Sequence, residues 1–318
     1  MSNFALIGVG GFIAPRHLKA IKETGGTLVA SLDPSDSVGV IDNYFPEADF
    51  FTEFERFDRH VDKLRRANDG RRIEYVSICS PNYLHDSHIR FALRSGANAL
   101  CEKPLVLNAR NIDGLLEVER ESGKRVYTVL QLRLHPAILA LKERVARAPH
   151  GQRFELDLTY VTSRGHWYFQ SWKGDEGKSG GVATNIGVHF YDMLHFVFGN
   201  VVANRVHHRS AMKAAGYLEY ERARVRWFLS VDARDLPPET HAKGQRTYRS
   251  IEMGGEEVEF SDGFGDLHTR IYEEMFAGRG FGLEENRVAI ETVGDIRAAQ
   301  PLGLVGDYHP ALREAVLA

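Results

Sequence analysis

Cysteine is nearly absent: the 318 residues hold only Cys79 and Cys101, too few for a disulfide framework and without the spacing of a zinc site. Both are expected as buried free thiols of a reducing compartment, and no metal is expected. Long apolar runs are missing too. None approaches the roughly 18 residues that a membrane-spanning helix requires. The apolar N-terminal stretch has no basic preface and is broken by glycines, so no signal peptide is expected and a cytoplasmic location is. A bias of charge is also lacking. The net charge of −3 offers no general attraction for nucleic acid or anionic lipid. Internal repeats and low-complexity segments are absent.

What is present is an ordinary globular composition, long enough for two domains. From residue 1 to 131, strand-like runs alternate with helical ones, which predicts a doubly wound α/β Rossmann domain with a parallel sheet. Strands are expected at Phe4–Val9, Leu28–Leu32, Asp49–Phe51, Tyr75–Cys79, Ala97–Cys101 and Arg125–Leu130, with helices at Glu53–Asn68, His85–Ser95 and Ala109–Ser122. The pattern changes over 132–318. After a helix at Ala137–Arg147, long strands at Phe154–Thr162, Val201–Lys213, Leu218–Asp232, Arg246–Met253 and Glu256–Phe260 predict an α+β domain with an open-faced, mostly antiparallel sheet. Helices at Asp266–Ala277 and Leu283–Ala299 close the pattern.

The first strand runs into Gly8, Gly10 and Gly11, then Phe12 and Ile13, then a helix with Pro15 in its first turn. Glycines let the chain turn with positive φ and bring main-chain N–H groups close to an anion at a helix N-terminus. The spacing departs from G-x-G-x-x-G, since Ile13 stands at the sixth position from Gly8. Asp33 ends the second strand, 25 residues after Gly8, near the offset at which an acid binds an adenosine ribose. No Arg or Lys follows it closely, which favours NAD over NADP.

Ligands of such sheets lie at the carboxyl ends of the strands. Ser80, Pro81, Asn82 and His85 end the fourth strand there, as a cofactor-lining loop or as an ordinary turn and helix cap. Glu102-Lys103-Pro104 end the fifth, where proline stops the strand and aims the ammonium, with Gln131 past the sixth. In the second half, Asn185, His189 and Asp192 share one helical face opposite Phe190, Leu194, Val197 and Phe198. An imidazole on such a stripe, with a carboxylate one turn on, suits a general base near neutral pH. The segment Ser163–Gly174 is aromatic and basic, and its exposure calls for a ligand or a partner subunit to cover it. Arg164, Lys173 and Lys178 suit a diphosphate or carboxylate, and Trp172 with its neighbouring rings suits a base or sugar face.

Together these runs resemble the Gfo/Idh/MocA oxidoreductases, over nearly the whole chain: Gly11-Phe12-Ile13-Ala14-Pro15-Arg16-His17, Ser77-Ile78-Cys79-Ser80-Pro81-Asn82-Tyr83-Leu84-His85, the Glu-Lys-Pro signature, Thr162-Ser163-Arg164-Gly165, Ser171-Trp172-Lys173-Gly174 and Ala183–Asp192. Asn185 stands where many members carry Asp, and the UDP-sugar branch of the family looks similar in having Asn. The resemblance implies Lys103 and His189 as the catalytic pair. It implies NAD as cofactor, contacted by Gly8, Gly10, Gly11, Phe12, Ile13, Asp33, Ser80, Pro81, Asn82, His85, Glu102, Lys103 and Gln131. The implied substrate is UDP-N-acetylglucosaminuronic acid, oxidised at carbon 3 for surface-polysaccharide (O-antigen) synthesis. Lys103, Arg164, Trp172, Lys173, Lys178, Thr184, Asn185 and His189 would contact it. Recycling of NADH by 2-oxoglutarate and a homotetramer are implied as well. A plain sugar or inositol dehydrogenase and a non-enzymatic NAD-binding regulator stay open as alternatives.

Overall fold

The computed structural model describes residues 2–67, 69–258 and 265–317. The expected element ends at Asn68 and Phe260 lie outside the described residues. The chain divides into two units, Met1–Gln131 with Gly265–Arg287, and Leu132–Phe264 with Val288–Ala318. The expected second domain, 132–318, thus loses one segment to the first. Sequence order hid this, because the Leu267–Phe276 helix packs its buried Ile271 and Tyr272 with the first unit, where Tyr272 meets Phe4 at 5.7 Å between ring centroids.

In the first unit, β1 (Asn3–Ile7), β2 (Thr27–Leu32), β3 (Asp49–Phe51), β4 (Tyr75–Ile78), β5 (Asn98–Cys101) and β6 (Val126–Thr128) form one parallel sheet in the order β3-β2-β1-β4-β5-β6. Phe4, Ala5 and Leu6 are fully buried, as helices on both faces of a parallel sheet require. The strand order reverses between β1 and β4, and a switch point of this kind is where doubly wound sheets bind their ligands. Helices Ala14–Glu23, Phe54–Ala67, His85–Arg94 and Arg110–Ser122 connect the strands. The last stops at Gly123, whose φ of 63° ends a helix without Cβ strain.

In the second unit, β7 (Phe154–Thr162), β8 (Val201–Arg209), β9 (Lys213–Tyr220), β10 (Ala223–Ser230), β11 (Thr247–Met253) and β12 (Glu256–Glu257) are ordered β12-β11-β7-β10-β9-β8. Among the described residues only the β7 and β10 pair is parallel. The two expected strands over 201–232 are in fact three. Ala214-Ala215-Gly216 reads as a break but lies inside β9, because a Cβ at Gly216 would stand 2.6 Å from the Trp227 ring and 2.4 Å from the Arg205 carbonyl. The true turn is Glu221-Arg222. It carries no glycine and is held instead by the Arg222 guanidinium, which donates to the carbonyls of Val145, Ala148, Pro149 and Gln152. The Gly181–Phe198 helix, capped at both ends by glycine, is buried along most of its surface.

Candidate functional site

At the end of β1, Gly8 takes φ 87°, and a Cβ there would stand 2.6 Å from the Cys79 carbonyl carbon. No other residue allows β1 and the end of β4 to approach so closely. The loop then folds onto the end of β2, where Asp33 accepts the Gly10 N–H at 2.9 Å and the Ser35 N–H at 2.9 Å. A Cβ at Gly10 would lie 3.1 Å from that carboxyl group, and one at Gly11 3.0 Å from the Gly8 carbonyl. Ile13 caps the Ala14–Glu23 helix with no side-chain hydrogen bond, and the positive end of the helix dipole follows the loop directly. Phe12 is 92% exposed beside it. Gln131 presents a buried side-chain oxygen with no hydrogen-bond partner. This cradle of glycine turn, helix N-terminus and β2 acid fits a dinucleotide. Bound there, the pyrophosphate would lie against the glycine turn at the start of the helix and the ribose would take Asp33.

Around the ends of β4 and β5 several of the expected ligand groups also hold the scaffold together. His85 is buried, its Nδ1 2.7 Å from the Pro104 carbonyl and its Nε2 2.9 Å from the Ser80 carbonyl. It therefore ties the two strand ends together. Burial holds its pKa below the usual histidine value, against the pull of those two carbonyls. Ser80 bonds the His88 Nδ1 at 2.8 Å. Glu102 is buried too, and its Oε1 lies 3.0 Å from His17 Nε2 and 3.0 Å from His268 Nε2. Its Oε2 accepts the Lys103 N–H at 3.2 Å, while Lys103 itself is half-buried. Burial pushes the Glu102 carboxyl upward, but the hydrogen bonds from His17 and His268 outweigh it and hold the group well below the usual range. Cys101 is buried, Cys79 half-buried, and both are free. Pro81 is half-buried and Asn82 buried in the turn that follows Ser80.

In the second unit the glycine turn at 180 leads into the helix that bears the polar stripe. Asn185 and His189 lie on its half-exposed side, one turn apart. The Asn185 amide donates to the Tyr168 hydroxyl at 2.9 Å, which fixes that side chain. The His189 ring stands 4.2 Å from Phe190 and 6.2 Å from Tyr160, centroid to centroid. Asp192, the carboxylate that spacing offered to His189, is buried and takes two hydrogen bonds from Arg133. Thr184 is fully buried against Gly180, and its hydroxyl oxygen has no hydrogen-bond partner among the described residues.

Nearby, Lys173 is half-buried with its ammonium 4.3 Å from the Trp172 ring centroid and 5.9 Å from that of Trp167. Burial lowers its pKa, and the Arg164 charge lowers it further. A lysine set beside two indole faces and repelled by the Arg164 charge forms a place where an anion is stabilised. Lys178 is half-exposed, 3.8 Å from Asp175. Sequence reading missed His17, His268, Tyr272, Arg133 and Tyr168. Only the i, i+4 spacing of His268 and Tyr272 could have hinted at a shared face.

A parallel sheet with a glycine turn at its switch point and an acid ending the next strand defines a dinucleotide-binding protein. The chain belongs to the Gfo/Idh/MocA oxidoreductases: the family's NAD-binding Rossmann domain matches residues 2–130 and its C-terminal α/β domain residues 152–235. Among solved structures, the WlbA (WbpB) dehydrogenase of Thermus thermophilus is 54% identical, with 98% of this chain and 99% of that one covered. Its TM-score is 0.93 for the complex with NAD and α-ketoglutarate and 0.92 for that with NAD and UDP-GlcNAcA. The WlbA dehydrogenase of Bordetella pertussis, 18% identical with 96% and 98% covered and a TM-score of 0.73, shares the fold. A curated relative, the 1,5-anhydro-D-fructose reductase of Ensifer adhaerens, is 26% identical over 207 residues, 65% of this chain and 59% of its own length. The match thus spans somewhat over half of that relative. Among the described residues no helix is long and apolar enough to cross a membrane.

Proposed function

We propose that this protein is an NAD-dependent sugar-nucleotide dehydrogenase that oxidises the carbon-3 hydroxyl of UDP-N-acetylglucosaminuronic acid to the 3-keto sugar. The observation that carries the reading is the 54% identity across 98% of the chain to a dehydrogenase solved with NAD and with UDP-GlcNAcA. The half-buried Lys173 beside Arg164 supports it, as a ready site for a diphosphate or uronate.

Bound NAD supplies the hydride acceptor. His189 takes the hydroxyl proton as general base, a role typically worth about 10²- to 10⁴-fold in rate. Lys103 donates a hydrogen bond to the reacting oxygen and stabilises the charge it develops. Arg164, Trp172, Lys173 and Lys178 hold the nucleotide, so that remote binding energy orients the ring. Asn185, held by Tyr168, contacts the sugar. We further assign 2-oxoglutarate as the acceptor that returns NADH to NAD, a cytoplasmic homotetramer as the working form, and O-antigen sugar synthesis as the setting.

The test is turnover by purified protein given NAD, UDP-N-acetylglucosaminuronate and 2-oxoglutarate. Formation of the 3-keto sugar, reduced to a small residual rate in His189→Ala and Lys103→Ala, is expected. Equal turnover of the sugar stripped of UDP would point to a plain sugar dehydrogenase, and tight NAD binding without any oxidation to a regulator.

A further inference from the structure

Behind the end of β5 lies a polar cluster that the proposed chemistry does not use. The Glu102 carboxylate is buried, with one oxygen on the imidazoles of His17 and His268 and the other on the Lys103 N–H. A carboxylate held ionised accepts only, so both histidines donate through Nε2. His17 then accepts through Nδ1, 2.8 Å from the Tyr272 hydroxyl, which in turn lies 2.7 Å from the Ser77 hydroxyl. The chain Ser77, Tyr272, His17, Glu102 runs from the middle of β4 to the peptide of Lys103. Its members are all buried, and the two imidazoles meet edge to face at 5.2 Å. An ionised carboxylate enclosed in this way is costly unless every bond is made, so its position is tightly determined.

We propose that His17 and His268 are positioning residues: by clamping Glu102 from two sides they fix the Lys103 backbone, and with it the place of the Lys103 ammonium. This deepens the proposed function and rests on the reading of Lys103 as the group that meets the reacting oxygen. Such a clamp acts on turnover more than on binding, because a displacement of about 1 Å at a reacting group can cost on the order of 100-fold in rate.

The experiment compares His17→Leu, His268→Leu and the conservative His268→Gln, each alone and with Lys103→Ala, in full-length protein. NAD and UDP-N-acetylglucosaminuronate affinities should stay within about threefold while kcat falls about 10- to 100-fold. His268→Gln, which keeps an N–H donor and guards against failure to fold, should recover most of the loss. In the Lys103→Ala background the leucine variants should change the residual kcat less than about twofold, since residues acting through one group do not add. Amide exchange at Lys103 should quicken in both leucine variants. An unchanged kcat, equal losses in both backgrounds, or unchanged Lys103 exchange overturns the clamp. Undiminished turnover in Lys103→Ala alone instead sinks the catalytic reading, and the clamp with it. The three donor atoms lie within 4.8 Å of one another, so metal analysis of the purified protein is included. A stoichiometric divalent ion would replace the hydrogen-bonded clamp with a metal centre.

Discussion

Arg133 and Asp192 form a two-pronged ion pair, Nε to Oδ2 at 2.9 Å and Nη2 to Oδ1 at 2.7 Å, with both side chains sealed from solvent. Asp192 sits three residues beyond His189, so the pair anchors the helix on which the expected base is carried. The Arg133 guanidinium also stacks 5.2 Å from the Phe196 ring centroid, one turn further on.

Removing one partner strips the other buried charge of its two-pronged bond. Arg133→Leu or Asp192→Asn should therefore cost about 3–5 kcal/mol in urea unfolding of the second unit. Arg133→Met combined with Asp192→Leu should recover most of it, since a packed apolar pair makes no such demand. A single-variant loss under about 1 kcal/mol would mean that solvent reaches the pair.

Asp33 accepts two loop amides and has free lone pairs left for a ribose. Replacing it with Ser should lower kcat/KM for NAD and narrow its advantage over NADP by about 10- to 100-fold, because the repulsion of a 2′-phosphate is lost. Steady-state kinetics with both cofactors decide. An unchanged ratio would remove Asp33 from cofactor choice.

Lys173→Ala should raise KM for the nucleotide sugar by about 10-fold or more with little change in kcat, the pattern of an interaction made equally in ground and transition states. His189→Ala should do the reverse. If Lys173→Ala leaves KM untouched, the anion is held elsewhere.

The protein should lose stability on mild acidification. Burial, then the neighbouring His85, depresses His88 to about 4, and burial, with Arg226, depresses His309 to about 4 against the pull of Asp157. The unfolded chain takes up these protons first, near its usual pKa of about 6.5. Each histidine thus contributes stability that is full above that value and lost as pH falls toward 4, about 3 kcal/mol apiece by then. Thermal midpoints measured from pH 7.5 to 4 should decline, and less steeply in His309→Gln. A flat profile would show that neither group resists protonation.

The Rossmann half was legible almost element by element, since each of its strands is a short apolar run bounded by glycine or a cap. Asp49–Phe51 was read to the residue. The second sheet was harder. Its turn at Glu221-Arg222 carries charge where glycine or asparagine usually signals a turn, and Gly216 marks a close approach to Trp227 rather than a break. At the site, the stripe of Asn185 and His189 followed from helical period alone, whereas the partner of Asp192 did not, because Arg133 lies 59 residues away in the chain.

The local chemistry was therefore determined by sequence: a glycine turn opening a helix, an acid ending β2, a lysine stopped by proline, an imidazole on a polar helical face. These depend on backbone freedom and periodicity over a few residues. Which buried groups hold which was decided only by tertiary structure. His268 and Tyr272 return from the far end of the chain to close on Glu102 and His17, and no spacing encodes that meeting, because the bonds are between side chains that only packing brings within 3 Å.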